Sequence, residues 1–150
     1  MDANGILSDL AEAFFHANLD AVMIGNAAAA IQGAPVTTMD IDFCIEDDET
    51  EIAKLNKVAS ELDANLSDYY PFFQIQSPEK EMFLDFLCRP VGVSFKELFE
   101  RSDSVTFDGI YHLRIARLED VIAGKKAAGQ KKDLAVIPLL EKTLELKNGR

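Results

Sequence analysis

The chain has 150 residues, of which 48% are hydrophobic and 27% are charged, and its formal net charge at pH 7 is −11. These proportions exclude a disordered chain and predict a single folded domain over residues 1–150. The negative charge argues against binding to an extended nucleic acid. No apolar run of about 18 residues and no signal pattern is present, which predicts a cytoplasmic protein without membrane association.

The first half of the chain predicts alternating helices and strands. In chain order these are a helix over 6–19, a strand over 21–25, a helix over 26–33, a strand over 39–45 and a helix over 47–65. Apolar residues at helical spacing identify the first helix, and the short apolar run AVMIG identifies the first strand. Asn26 is a suitable cap for the second helix, which Gly33 should end.

The second half predicts two more strands, a helix, a hairpin and a helical tail. These cover 72–77, 82–88, 93–102, 104–113 and about 117–147, respectively. Asp108-Gly109 favours a two-residue type I′ turn in the hairpin. Breaks at Gly124, Gly129 and Pro138 predict two or three short helices in the tail. Together, the predicted helices and strands indicate an α/β (α+β) fold, in which helices flank a mixed sheet of about five or six strands.

Two aspartates interrupt an otherwise apolar strand in TTMDIDFCI, residues 37–45. Alternate side chains of a strand share a face, so Asp40 and Asp42 should point to one side together with Cys44. The residues that should point into the core are Met39, Ile41, Phe43 and Ile45. An unpaired carboxylate is costly in an apolar setting, so this pair should protonate or bind a cation, and Mg²⁺ prefers oxygen ligands of this kind.

Asp85 repeats the pattern as the sole charge in MFLDFLC, residues 82–88. The alternative interpretation is an aspartate at a strand end that turns to solvent or caps a loop. If this strand pairs beside 39–45, however, three carboxylates converge. Two-metal nucleotidyl transfer needs such a set, because two carboxylates can bridge the metals while the third activates the attacking hydroxyl.

The junction MIGNAAAAIQG, residues 23–33, is a candidate anion site. A strand that ends at Gly25 and leads into a helix exposes backbone N–H groups near the positive end of the helix dipole. Most such junctions bind nothing, but this one precedes the aspartate pair by about fifteen residues. Six of the fifteen basic residues lie between 114 and 132, and this local basic patch suits a small anionic ligand.

The order of these segments resembles the minimal nucleotidyltransferase fold, with an apolar strand, a helix that begins GNAAA and a strand that begins TMDID. The segment LEDVIAGKKAAGQKKDLAVIPLLE, residues 118–141, is similar to the tail of the abortive-infection-type toxin branch of that family. In that tail a helix bearing a lysine precedes a Lys-Asp turn and a final helix. The resemblance runs from about residue 5 to residue 146.

The resemblance implies roles for particular residues of this chain. Gly25 and Asn26 would bind nucleotide phosphates. Asp40 and Asp42 would bind the metal, with Asp85 as the third carboxylate and metal ligand. Lys125 and Asp133 match the tail motif, in which the lysine would bind the nucleotide. Two positions depart from the family pattern. Asn26 stands where the fold usually has glycine or serine, and Gln130 stands where the tail often has arginine.

Two functions are consistent with these residues. The first is an enzyme that uses Mg²⁺ or Mn²⁺ to move a nucleotidyl group from an NTP to a hydroxyl of an RNA end, a protein side chain or a small molecule. The second is an inactive relative that binds a nucleotide or a partner protein, as one half of a toxin–antitoxin pair or as a homo-oligomer. Three carboxylates in apolar strands favour the enzyme, whereas the Gly25-Asn26 departure favours the binding protein.

The remaining candidates favour structural roles. Cys44 and Cys88 lie in apolar stretches and should be reduced and buried, although a disulfide between them stays open. The two histidines, His16 and His112, are isolated in the sequence, so no zinc site is predicted. The aromatic residues of the segment 69–73 should pack in the core or hold a loop rather than stack on a base.

Overall fold

The computed structural model describes residues 3–149, with side chains from residue 5 onward. The helices of this part are α1 (Ala3–Ala17), α2 (Gly25–Ile31), α3 (Glu49–Glu61), α4 (Phe95–Arg101), α5 (Leu118–Ala128) and α6 (Lys131–Asn148). The strands are β1 (Ala21–Ile24), β2 (Ile41–Ile45), β3 (Asn65–Tyr69), β4 (Phe72–Ser77), β5 (Met82–Leu87), β6 (Asp103–Phe107) and β7 (Tyr111–Ile115). None of these helices is long and apolar enough to cross a membrane.

The strands form one mixed sheet in the order β3-β4-β5-β2-β1-β7-β6. In its centre β2 pairs parallel to β5 and antiparallel to β1, and β1 pairs parallel to β7. This confirms the predicted mixed sheet flanked by helices, with seven strands rather than five or six. The additional strand is β3, whose sequence NLSDY lacks an apolar alternation and which lies at the sheet edge, paired with β4 alone.

The two faces of the central strands have different surroundings. On one face, the ring of Phe14 in α1 contacts Phe43 edge-on at 5.0 Å and Phe86 at 6.1 Å, measured between ring centroids. Phe43 and Phe86 stack on each other at 5.4 Å. Because side chains alternate along a strand, their neighbours Asp42 and Asp85 point to the opposite face. The aromatic face therefore belongs to the core under α1, and the aspartate face is available for chemistry.

The predicted strand 39–45 begins two residues later than expected, at Ile41. Met39 is 83% exposed, so the prediction that it points into the core is wrong, and Asp40 is also exposed. The antiparallel ladder with β1 ends where Ile24 lies opposite Asp42, because the chain turns into α2 directly after Ile24. Residues before Ile41 therefore have no β1 partner to hold them in the sheet.

The start of α2 also differs from the prediction. The helix begins at Gly25, and Ile24 occupies the N-cap position without a side-chain hydrogen bond. Asn26 therefore lies inside the first turn and is not the cap. The predicted end is confirmed, since α2 stops at Ile31, ahead of Gly33, whose φ is +98°.

The tail consists of two helices with one break at Gly129, which has a φ of +66°. The predicted breaks at Gly124 and Pro138 do not occur, because both residues lie inside helices. A proline inside a helix removes one backbone hydrogen bond. Ile137 and Leu140, on either side of Pro138, are both buried, so packing keeps α6 continuous across it.

The hairpin between β6 and β7 forms around the predicted turn. Asp108 and Gly109 both have positive φ values, 55° and 72°, as a type I′ turn requires. The N–H of Ile110 donates to the carbonyl of Phe107 at 3.3 Å. The loop has three residues rather than two, since Phe107 pairs with Tyr111 across it.

Candidate active site

A cavity of about 440 Å³ opens on the aspartate face of the sheet, between the ends of β1, β2 and β5 and the helices α5 and α6. Every residue that the sequence singled out for the site lines this cavity. They are Gly25, Asn26, Asp40, Asp42, Asp85, Lys125 and Asp133. The fold therefore brings together side chains that are up to about a hundred positions apart in the chain.

Asp42 and Asp85 lie directly opposite each other on the neighbouring parallel strands β2 and β5. Gln74, which lies opposite Asp85 on β4, donates a hydrogen bond from Nε2 to Oδ1 of Asp85 at 2.9 Å. This bond holds one carboxylate oxygen of Asp85, and a side-chain hydrogen bond also links Asp85 to Asp42. Gln74 is not among the residues predicted for the site, although its position among apolar residues in FFQIQS was the available clue.

Burial and the neighbouring charge of Asp85 raise the pKa of Asp42 to about 7, with Asp40 adding to the effect and Lys125 opposing it. The pKa of Asp40 is also raised, first by burial and then by Asp85, while Lys132 opposes this shift. Carboxylates this close to one another disfavour simultaneous ionisation. The site therefore stabilises either a proton or a bound cation between them.

Asp40 lies at the entrance of the cavity and is held by its backbone. The hydroxyl of Thr38 donates to the carbonyl of Asp40 at 2.7 Å, and the N–H of Asp40 donates back to Oγ1 of Thr38 at 3.2 Å. This reciprocal pair fixes the bend before β2 and leaves the Asp40 carboxylate exposed to ligands.

Two features favour glycine at position 25, its positive φ and the close approach of its backbone to the side chain of Asp42. The φ of Gly25 is +68°, and a Cβ at this position would lie 2.9 Å from Oδ2 of Asp42. Real Cβ atoms do not approach an oxygen so closely without a shift of one partner. Glycine at this position therefore lets the start of α2 and the carboxylate of Asp42 share one wall of the cavity.

Asn26 contributes an unusual polar atom to the same wall. Its Oδ1 is buried and, within the described part of the chain, has no hydrogen-bond partner. A buried acceptor without a partner costs about 1–3 kcal/mol. Such an atom beside a cavity is suited to accept a hydrogen bond from a bound molecule.

Lys125 and Lys126 differ in their surroundings, as the helical spacing predicts. Lys125 is buried, and its Nζ lies 3.4 Å from Oδ1 of Asp133. Lys126 is exposed and pairs with Glu141 at 3.7 Å, away from the aspartates. Lys125 therefore supplies a positive charge inside the cavity, next to the tail residue Asp133.

Two further charged residues line the cavity, and one of them, Lys132, belongs to the basic patch predicted between 114 and 132. Lys132 lies at the entrance close enough to Asp40 to oppose its pKa shift. Asp120 also lines the cavity, but two hydrogen bonds of 2.8 and 3.1 Å from Arg101 hold its carboxylate. The apolar part of the wall comes from the loop after β5 and from α4 and α5, with Leu87, Val91, Val93, Leu98 and Val121.

The tyrosines at 69 and 70 lie outside this cavity. Tyr70 donates its hydroxyl to Asp47 at 2.8 Å and accepts a hydrogen bond from Arg89 at 2.9 Å. Tyr69 is 66% exposed at the sheet edge. Tyr70 thus holds the loop that joins β3 and β4, in agreement with the structural role predicted for this segment.

The free cysteines agree with the prediction as well. Cys44 and Cys88 are both buried and reduced. Burial raises the pKa of the Cys44 thiol to about 12 and that of Cys88 to about 11. Both thiols therefore stay protonated at neutral pH and act as small apolar side chains.

The donor set of the cavity fits a hard divalent cation, because it consists of carboxylate oxygens with raised affinity for positive charge. The carboxylate oxygens of Asp40, Asp42 and Asp85 do not all lie within 4.8 Å of one another, so a cation held by all three requires side-chain movement. Among the described residues, the group whose ligand atoms all lie within 4.8 Å of one another is Glu12, His16 and Glu61, outside this cavity.

Comparison of the sequence with protein-family models and with curated proteins finds no match. Comparison of the fold with solved structures finds several similar proteins. The antibiotic-resistance factor ANT(2'')-Ia superposes with a TM-score of 0.67 at 14% identity, over 94% of this chain and 83% of that chain. The lincosamide antibiotic adenylyltransferase LnuA superposes with a TM-score of 0.61 at 12% identity, over 88% of this chain and 92% of that chain.

A third similar structure is an antigenic nucleotidyltransferase-like protein from Paracoccidioides brasiliensis. It superposes with a TM-score of 0.62 at 16% identity, over 95% of this chain and 75% of that chain. Likeness at these identities concerns the fold, and it extends over nearly the whole described chain. The protein therefore has the mixed α+β fold of the nucleotidyltransferases.

Proposed function

We propose that the protein is a metal-dependent nucleotidyltransferase that moves a nucleotidyl group from an NTP to a hydroxyl group of a small molecule. The observation that carries the proposal is the position of Asp42 directly opposite Asp85, in one cavity with Gly25, Asn26 and Lys125. A metal–triphosphate ligand requires carboxylates that bind the cation and an adjacent positive charge that binds phosphate oxygens, and the buried lysine supplies that charge.

The metal would be Mg²⁺ or Mn²⁺, held by Asp40, Asp42 and Asp85, and it would neutralise charge on the phosphates as pyrophosphate leaves. The pKa of Asp42, raised by burial and by Asp85, supports this assignment. A cation in place of the shared proton would relieve the repulsion between the carboxylates.

The nucleotide phosphates would lie between the start of α2 and Lys125. Lys125 would donate a charge-assisted hydrogen bond to a phosphate oxygen. Gly25 leaves space beside Asp42, and the buried Oδ1 of Asn26 would accept a hydrogen bond from the nucleotide or from a water that it retains. An amide can also rotate and present its NH₂ group to a phosphate oxygen.

The reaction would form a bond between the acceptor oxygen and the α-phosphorus and break the bond from that phosphorus to the oxygen of the leaving pyrophosphate. The proton of the acceptor hydroxyl would pass to Asp85. The hydrogen bond from Gln74 to Oδ1 of Asp85 fixes the orientation of this carboxylate, as a general base requires.

Two considerations favour a small-molecule acceptor over an RNA end or a protein side chain. The net charge of −11 repels a long polyanion. The similar structures include ANT(2'')-Ia in complex with adenylyl-2''-tobramycin and LnuA bound to lincomycin. We therefore place small hydroxyl compounds first among the acceptors to be tested.

The experiment measures NTP binding by calorimetry and pyrophosphate release with each NTP, Mg²⁺ and a panel of tobramycin, lincomycin and a short RNA. We expect Asp42→Asn and Asp85→Asn to lower turnover by about 10²–10³-fold. Asp20→Asn, an exposed aspartate outside the cavity, should keep full activity. Absence of NTP binding at millimolar concentration would refute the proposal, and binding without turnover on any acceptor would indicate the inactive binding protein instead.

The finer assignment to the abortive-infection toxin branch depends on the tail motif. The ion pair between Lys125 and Asp133 supports it, because it joins the two tail residues that the resemblance singles out. If the protein is a toxin, its expression in bacteria should arrest growth, and Asp42→Asn should remove the arrest. Growth that is the same with and without expression of the wild type would contradict this assignment, but it would leave nucleotidyl transfer to a small molecule untouched.

A further inference from the structure

A second group of potential metal ligands lies on the other side of the molecule, between α1 and α3. Glu12 and His16 are four positions apart on α1, so they share one face of that helix, and Glu61 is the last residue of α3. The ligand atoms of the three residues all lie within 4.8 Å of one another. Nδ1 of His16 lies 2.8 Å from Oε1 of Glu61.

The lysines near this group donate to backbone carbonyls rather than to its carboxylates. Nζ of Lys57 donates to the carbonyl of His16 at 2.8 Å, and Nζ of Lys54 donates to the carbonyl of Asn18 at 2.8 Å. Both lysines therefore cover the unpaired carbonyls at the end of α1. Within residues 3–149, no lysine or arginine forms an ion pair with Glu12 or Glu61.

A third acidic residue adds to the negative charge. Asp9 lies one turn before Glu12 on α1 and lines a cavity of about 360 Å³ together with Glu12 and Glu61. Lys80 also lines this cavity, but its Nζ donates to the carbonyl of Leu62 at 2.6 Å. Glu12 and Glu61 therefore line a space that can hold water ligands of an ion. His16 does not line it but lies beside it, in contact with Glu61.

The geometry points to a binding site for a divalent transition-metal cation of the Zn²⁺ type, with Glu12, His16 and Glu61 as its ligands. One imidazole nitrogen and two carboxylate oxygens suit Zn²⁺, which binds these groups at about 2.0–2.2 Å and often has three protein ligands with water in the remaining position. Mg²⁺ prefers oxygen ligands alone. Because this site includes an imidazole, it should prefer a different metal from the cavity that contains Asp42 and Asp85.

The distances between the three ligand atoms are close to those around a bound metal, so binding requires only small side-chain movements. Tetrahedral bonds of about 2.0–2.2 Å place ligand atoms roughly 3.3–3.6 Å apart. The present atoms lie within 4.8 Å, and the side chains of His16 and Glu61 are 39% and 30% exposed, so both can adjust. The cation would replace the hydrogen bond between His16 and Glu61 and would link α1 to α3.

The site is independent of the proposed catalytic centre. Phe14 on α1 packs against the aromatic face of β2 and β5, whereas Asp42 and Asp85 point to the opposite face. A metal bound by Glu12, His16 and Glu61 should therefore change stability and leave nucleotide binding unaffected. It binds the folded state and not the separated helices, so it raises the melting temperature by mass action.

The chain offers a matched control, because it contains only two histidines. We compare the wild type with His16→Gln, Glu61→Gln, His112→Gln and Asp42→Asn by Zn²⁺ calorimetry, by melting with and without Zn²⁺, and by the visible absorption of bound Co²⁺. His112 is exposed on β7, outside the cavity that Glu12 and Glu61 line. Circular dichroism checks that each variant is folded.

We expect one Zn²⁺ site in the wild type, with affinity lowered more than about tenfold in His16→Gln and Glu61→Gln and unchanged in His112→Gln and Asp42→Asn. The rise in melting temperature and the Co²⁺ absorption should be lost in the same two variants. Equal Zn²⁺ affinity in the wild type and His16→Gln would overturn the proposal. So would loss of binding in Asp42→Asn, which would assign the ion to the aspartate cavity, or no binding at 100-micromolar Zn²⁺ or below.

Discussion

The two faces of the central strands β2 and β5 differ sharply, although they alternate residue by residue. Phe43 and Phe86 lie opposite each other on one face and are fully buried. Asp42 and Asp85 lie opposite each other on the other face and line a cavity. The same backbone register sets both pairs, so the packing of the aromatic rings under α1 also positions the carboxylates. Neighbouring residues of each strand thus have opposite physical requirements, one buried in the core and the other facing a cavity.

The largest expected effect is on the aromatic face. Phe43→Ala removes a fully buried ring that contacts Phe14 and Phe86, and it should lower the free energy of unfolding by about 3–5 kcal/mol. Urea denaturation measures this loss. Met39→Ala, at a position that is 83% exposed, should change stability by less than about 0.5 kcal/mol. A loss of similar size in both variants would show that Met39 packs in the core after all.

Gly25→Ala tests the contact between the start of α2 and the aspartate face. Gly109→Ala is the matched control, because Gly109 also has a positive φ, +72°, but a Cβ there meets nothing within 4 Å. We expect a destabilisation of about 1 kcal/mol at Gly109 and of about 2–3 kcal/mol at Gly25, where the new methyl group meets Asp42.

A double-mutant cycle separates the two contributions at Gly25. Gly25→Ala in an Asp42→Ala background should lose only the backbone term of about 1 kcal/mol, because the carboxylate is no longer present. If Gly25→Ala is equally destabilising in both backgrounds, the contact with Asp42 does not explain why glycine occupies this position.

The two neighbouring lysines of α5 test whether positive charge inside the cavity matters for ligands. Lys125→Ala should weaken NTP binding by roughly 1–3 kcal/mol, the scale of a lost charge-assisted hydrogen bond, and Lys126→Ala should have little effect. Calorimetry with each NTP and Mg²⁺ measures both. Equal, small changes would mean that Lys125 serves only its ion pair with Asp133.

The last effect concerns the pH dependence of stability. The pKa of Asp42 is raised from 3.8 to about 7 in the folded protein, so the folded state binds more protons than the unfolded chain between these values. This stabilisation is fully present below pH 4 and is lost as the pH rises through 7. Without divalent cations, the free energy of unfolding should fall by roughly 2–3 kcal/mol between pH 5 and pH 8.

Asp42→Asn should flatten this pH dependence, since the amide does not titrate, while Asp20→Asn should retain it. Added Mg²⁺ should also flatten it in the wild type, because a cation replaces the proton between the carboxylates. A wild-type stability that rises from pH 5 to pH 8 would contradict the assignment of a raised pKa to Asp42.

Local patterns in the sequence were sufficient to predict most of the helices and strands. The alternation in MFLDFLC, the helical spacing in α1 and the Asp108-Gly109 turn each depend on neighbours in the chain, and each is present in the structure. Several details were wrong, and three of them depend on distant partners. The strand at 39–45 starts late where β1 ends, Asn26 is not a cap, and α6 continues through Pro138 because its neighbours are buried.

The candidate site shows the same division. Asp40, Asp42 and Asp85 were recognisable as charges in apolar surroundings, and that anomaly is local. The hydrogen bond from Gln74, the shift of the Asp42 pKa and the position of Lys132 beside Asp40 were not recognisable, since they depend on side chains from other elements. His16 is the clearest case, because its partner Glu61 is 45 positions away in the chain.

The sequence by itself determined which residues are anomalous, because the cost of placing a charge in an apolar strand can be judged from the immediate neighbours. It also determined the alternation that separates the aspartates from the phenylalanines along β2 and β5. Only the tertiary structure decided which of these residues lie next to one another. The parallel register of β2 with β5 sets Asp42 opposite Asp85, and the packing of α1 on α3 brings His16 to Glu61, because contacts between distant segments depend on the fold as a whole.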